Sequence, residues 1–158
     1  MMILSRQQGR TICLSLLLFI LSGTAGYPSG LEITEVTFCG KYDKPPTIKA
    51  SPWPFTPIGN LFNVSLTFTP AVDVLEASIQ YKVVSDGEVI TGESYDKLCK
   101  LSPDLCSLPA DETKVWTRSG KLPVIPPVLK NRTYKVSAQL FNEEKIVFLC
   151  AEVVAKLH

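Results

Sequence analysis

The chain has 158 residues, 46% of them hydrophobic, with 16 Lys and Arg against 15 Asp and Glu. That near-neutral balance argues against nucleic acid as a partner, because phosphate binding rests on a basic surplus. The single histidine, His158, is the last residue and reads as a frayed end, which argues against a His-dependent triad or a zinc site.

Residues 1–26 read as a signal peptide. Arg6 and Arg10 make a basic start, 12–21 is an apolar run broken only by Ser15, and 22–26 are the small residues a signal peptidase needs. Cleavage is expected near Gly26. A run of about ten apolar residues falls short of the roughly twenty that cross a bilayer, so an uncleaved anchor is the weaker reading. The remainder, 27–158, is expected to be one domain, large enough to bury a core without depending wholly on staples. Without the two arginines it carries 14 basic and 15 acidic residues. Cys13 leaves with the leader. Cys39, Cys99, Cys106 and Cys150 remain, an even number in an oxidising compartment, and are expected to pair in one of three ways.

The predicted strands follow in chain order. Segments 62–69, 75–84 and 133–141 alternate apolar and polar residues, whereas 115–118 and 146–154 are rich in β-branched or aromatic residues. Asp86-Gly87 lies between two apolar runs and predicts a hairpin turn from 79–84 into 88–91. Segment 97–108 contains Pro103 and the close cysteines and is expected to be a loop. Prolines crowd the spaces between strands, where a helix interior would not tolerate them. Short strands at this spacing predict an all-β antiparallel sandwich.

Two sequons orient the strands. Asn63-Val64-Ser65 and Asn131-Arg132-Thr133 are N-glycosylation motifs, and a glycan must face solvent. With Asn63 outward, the period of two sends Phe62, Val64, Leu66 and Phe68 inward and leaves Ser65 and Thr67 outside. With Asn131 outward, Tyr134, Val136, Ala138 and Leu140 turn inward, and Thr133, Lys135, Ser137 and Gln139 turn out. Between these strands, Leu75, Ala77, Ile79, Tyr81 and Val83 alternate with Glu76, Ser78, Gln80 and Lys82. Two sheets with one apolar face each must meet face to face.

Catalytic material is scarce. The neighbours Asp111-Glu112 and Glu143-Glu144 sit in turn-like surroundings and read as solvated charges, since paired catalytic acids need a concave setting. Phosphate-binding loops, EF-hand loops and basic amphipathic helices are absent, so no cofactor and no metal is expected. The chain reads as a binder without enzymatic activity.

Several motifs in order then carry a resemblance. They are Val36-Thr37-Phe38-Cys39, Ile48-Lys49-Ala50-Ser51-Pro52, 63–69, Tyr95-Asp96-Lys97-Leu98-Cys99, 106–112, Lys121-Leu122-Pro123-Val124 and Phe148-Leu149-Cys150-Ala151-Glu152-Val153. Their order and spacing over 31–157 resemble the ML domain, the lipid-recognition family that includes the Niemann-Pick type C sterol carrier and the ganglioside activator. The resemblance implies an immunoglobulin-like β-sandwich whose sheets stand apart around a lipid. It also implies the pairings Cys39 with Cys150 and Cys99 with Cys106. A further clip that sterol carriers of the family have after the Ser-Pro motif is missing here, since 53–57 contains no cysteine.

Function follows from that likeness. The resemblance implies a secreted carrier of sterol or phospholipid, outside the cell or in an endosomal or lysosomal lumen. Its motifs place Ile48, Ala50 and Val124 at the lipid, with Pro127 and Leu129 as looser matches. The apolar stripes add Phe62, Val64, Leu66, Phe68, Ile79, Tyr81, Val83, Tyr134, Val136 and Phe148. On periodicity alone these residues pack one another as a closed core; the resemblance implies that they line a cavity. The proline-rich segments 51–57 and 122–129 are candidates for its rim, where Phe55 and Ile125 would meet a membrane or receptor transiently. The reading from another class is an immunoglobulin-like co-receptor or adhesion module acting through protein contacts.

Overall fold

In the computed structural model, residues 31–51, 61–121 and 127–157 are described. The leader, the rim residues Phe55 and Ile125, Val124 and His158 lie outside these residues. Eight strands run through the described residues: β1 Leu31–Phe38, β2 Thr47–Ser51, β3 Leu61–Phe68, β4 Ser78–Ser85, β5 Glu88–Tyr95, β6 Lys114–Lys121, β7 Arg132–Phe141 and β8 Val147–Leu157. They form two antiparallel sheets, ordered β1-β8-β7-β4-β5 and β2-β3-β6. The chain is an all-β sandwich.

Alternation sets the faces. Phe62, Val64 and Phe68 on β3 and Tyr134, Val136, Ala138 and Leu140 on β7 are buried, while Asn63, Thr133, Lys135 and Gln139 between them are exposed. The hairpin between β4 and β5 pairs Ser85 with Glu88 around Asp86 and Gly87, at φ 53° and 81°. That left-handed pair is what a two-residue primed turn requires, and its twist matches the strands it joins.

Register slips in three places. Between Ile33 and Glu35 the β1 pairing shifts, so Ile33 and Val36, three apart, meet Ala155 and Val153 two apart on β8. Val83 pairs with Thr91 but Val84 with Val89, which leaves Ile90 as the extra residue of β5. Leu140 pairs with Leu149 but Phe141 with Val147, so Phe148 is the extra residue of β8, and Phe148 and Leu149 are both buried. One inserted residue opposite a single partner is a β-bulge, which re-aims the side chains after it.

The segment before β4 departs from the expected strand 75–84. The strand begins at Ser78, Leu75 is 68% exposed, and Ser78 is buried instead of outward. The cause is local hydrogen bonding. Val74 exchanges backbone bonds with Leu108 at 2.8 and 2.9 Å and is fully buried, while the Glu143 carboxylate accepts from the N–H groups of Leu75 and Glu76 at 3.0 and 3.3 Å. Backbone donors held this way are not available to a ladder.

Two disulfides close the frame. Cys39, just past β1, is joined to Cys150 on β8, and Cys99 to Cys106 across a short insertion. The insertion contains one helical turn, α1 Leu98–Leu101, and a 3-10 turn Pro103–Leu105. Tyr42 fastens the first clasp: its hydroxyl accepts from the Cys150 N–H at 2.8 Å and lies 3.0 Å from the Cys39 carbonyl, to which it donates.

Candidate functional site

The hydrophobic interior is divided. One cluster gathers Leu31, Phe62, Val83, Tyr134, Val136, Ala155 and Leu157 with Val64, Tyr81 and Ala138. The other gathers Phe68, Val74, Ala77, Leu108 and Phe148 with Leu98, Leu105, Trp116, Leu140 and Leu149. A cavity of about 170 Å³ lies where the two meet, and its wall takes residues from both. β3 and β7 each pass from closely packed residues to residues that border the cavity. On β3, Phe62 and Phe68 at the ends are packed while Val64 and Leu66 between them face the cavity; on β7, Tyr134 and Val136 are packed while Ala138 and Leu140 face it.

Small side chains make the space. Ala138 and Ala151 are directly paired across β7 and β8, flanked in the same row by Phe38 on β1 and Tyr81 on β4, and all four line the cavity. Across from them stand Ile48, Val64, Leu66 and Trp116 of the three-stranded sheet. The insertion supplies Leu98, Leu101, Ser102 and Leu105, and Leu101, 40% exposed, marks the rim. Several lining residues, including Val36, Phe38, Ile48, Ala151 and Val153, are only half-buried.

Of the residues expected at the lipid, Ile48, Val64, Leu66, Ile79 and Tyr81 line the cavity. Phe62, Val83, Tyr134 and Val136 pack in the first cluster with Ala50 and Leu129 against it, and Phe68 stacks near Phe148 in the second, ring centres 6.3 Å apart. Pro127 opens the 3-10 turn Pro127–Leu129. Tyr134 donates its hydroxyl to the Leu129 carbonyl at 2.8 Å. Burial raises its phenol pKa above the ordinary value, against the Arg132 charge, which lowers it, and with that of Asp86, which raises it. Asn63 and Asn131 are exposed, and Asn63 accepts a hydrogen bond from Ser119 on β6.

Sequence reasoning missed much of the wall. Val36 and Phe38 were hidden by the β1 bulge, which breaks the period of two. Leu98, Leu101 and Leu105 stand three and four apart, a helical stripe that a reading of 97–108 as plain loop passes over. Ala138 points inward by parity, but alanine carries too little surface to look like a contact.

Besides the tyrosine and tryptophan rings, the polar member of the wall is Ser102 of the insertion. Ser102 is fully buried, and its hydroxyl oxygen accepts from Trp116 Nε1 at 3.2 Å and from an Arg118 Nη2 at 2.9 Å. Arg118 sits over the Trp116 ring, 5.1 Å from its centre, and reaches Asp104 at 3.2 Å. No group of His, Cys, Asp and Glu among the described residues is arranged to hold a metal ion.

No protein-family model matches the chain, and no curated protein does. Among solved structures, chicken MD-1 complexed with lipid IVa aligns with a TM-score of 0.59 and 17% identity over 83% of this chain and 98% of that one. The chain has the ML-domain fold. A Niemann-Pick type C2 protein from Japanese carpenter ant aligns at a TM-score of 0.45, with 15% identity over 84% of this chain and 96% of that one. In the ML-domain fold of this chain, the divided core and the cavity occupy the space between the two sheets.

Proposed function

We propose that the protein is a non-catalytic lipid carrier, secreted or lumenal, that holds the apolar part of a sterol or phospholipid between its sheets. The supporting observation is the apolar cavity at the seam of the divided core, in a fold shared with a protein crystallised with lipid IVa. Apolar surface leaving water yields about 25 cal/mol per Å², so an acyl chain or sterol body gains several kcal/mol there without a polar contact. Ile48, Val64, Leu66, Ile79 and Tyr81 touch the ligand in this reading, and Phe62, Phe68, Val83, Tyr134, Val136 and Phe148 hold the sheets around it. The two disulfides favour an oxidising compartment, reached through cleavage near Gly26 and with glycans on Asn63 and Asn131. Native mass spectrometry of the secreted protein, followed by extraction, tests this. A co-purifying lipid is expected, and a ligand-free protein that takes up neither fluorescent sterol nor phospholipid sinks the reading.

A further inference from the structure

We propose that the ligand is a single-chain amphiphile with an anionic oxygen head group, seated by Arg118 and Ser102. This rests on the carrier reading and narrows it. Size is the first argument. The cavity of about 170 Å³ is close to the engineered apolar cavity of about 150 Å³ that accepts benzene, and below the roughly 300–1,000 Å³ of sites that enclose drug-sized ligands. A slot of that size takes part of one chain; several chains or a sterol body require the sheets to separate further.

Polarity is the second argument. Apart from the ring residues, Ser102 is the polar member of an otherwise aliphatic wall. Its oxygen already accepts from Trp116 and Arg118, so its own hydroxyl proton is left to donate. Arg118 pairs with Val64 and Trp116 with Leu66, both lining residues, so the Arg118 side chain shares the inward face of β6 although it carries a charge. Its side chain is only 23% exposed, and its carboxylate partner Asp104 is 56% exposed. An exposed counter-ion holds a guanidinium weakly. The fork has five donors, of which the contacts to Ser102 and Asp104 and a longer one of 3.5 Å to the Thr117 carbonyl use three, and it matches a carboxylate or a phosphate. Stacking on Trp116 fixes the fork beside two residues of the cavity wall, Trp116 and Ser102. An acyl chain lying in the slot would bring its head to this pair.

Delipidated full-length secreted protein is titrated with lauric acid, methyl laurate and lauroyl lysophosphatidate, and separately with cholesterol and phosphatidylcholine. At least one of the two anionic ligands is expected to bind about tenfold or more tightly than the ester, the effect of one charge-assisted hydrogen bond. Preference for laurate alone identifies a free fatty acid, and preference for the lysophosphatidate alone identifies a phospholipid-derived head. Arg118→Gln is expected to remove most of that ratio and Arg118→Lys to retain part of it. If Arg118→Gln does not fold, Ser102→Ala serves, with an expected severalfold fall in the same ratio. A wild-type ratio near one, or a ratio unmoved by the variants, overturns the head-group seat; the carrier reading survives if cholesterol or phosphatidylcholine still binds. Uptake of none of the five overturns both.

Discussion

Ala138 and Ala151 face each other across β7 and β8 where a larger aliphatic side chain would project into the cavity. Ala138→Leu is expected to lower lipid uptake about tenfold or more, while the stability of the lipid-free protein changes by less than about 1.5 kcal/mol, because the added atoms occupy existing space. Lipid titration and urea unfolding of the same preparation check both halves. Glu143 acts at the opposite kind of site, an exposed turn. Its own backbone N–H, then that of Glu76, hold its carboxyl below the ordinary value of 4.5; burial opposes them, and the Leu75 N–H adds the weakest lowering contribution. A lowered folded pKa contributes stability above the unfolded value and loses it as pH falls through the folded one. Glu143→Gln is therefore expected to be less stable than wild type at neutral pH, with the difference closing below about pH 4 in thermal melts.

At the scale of elements, the insertion Leu98–Leu105 is the part of the cavity wall that lies outside the two sheets. One helical turn and one 3-10 turn hold few internal bonds, so the Cys99–Cys106 clip and the buried Leu98 and Leu105 keep it in place. Replacing both cysteines with serine is expected to cost up to about 2.5 kcal/mol in the chain-entropy model. It should also speed amide exchange across 98–105 and shorten lipid residence, both measurable at neutral pH. This element also shows what the sequence made legible. β3, β4 from Ile79, β7 and the Asp86-Gly87 hairpin followed from alternation and turn chemistry, because nothing interrupts their period. β1 and the far half of β5 did not, because a bulge displaces the pattern at Thr34 and at Ile90. For the site, parity told inward from outward but not packed from vacant. Phe62 and Val64 share one face of one strand and one core cluster, and only the opposing sheet decides which of them also borders vacant space.

For the whole molecule, the two core clusters hold the sheets together, and the Cys39–Cys150 bond ties the first strand to the last within the five-stranded sheet. That bond spans 111 residues, worth up to about 4.7 kcal/mol by loop-closure entropy, well above the short clip. A carrier with a gap in its core should also be stabilised by its cargo. Lipid at a hundredfold its dissociation constant is expected to add about 2.7 kcal/mol, seen as a melting temperature that climbs with lipid concentration. A melting temperature indifferent to every lipid tried would count against the carrier reading. The Ala138–Ala151 pair has a further consequence, in heredity. Every alanine codon is one base change from valine, so the volume available for cargo can be altered in a single mutational step without disturbing strand pairing, disulfides or turns. On the carrier reading, a lineage can therefore exchange one cargo for another while its architecture stays constant, which makes the frame a poor guide to the contents and these two positions a good place to compare relatives.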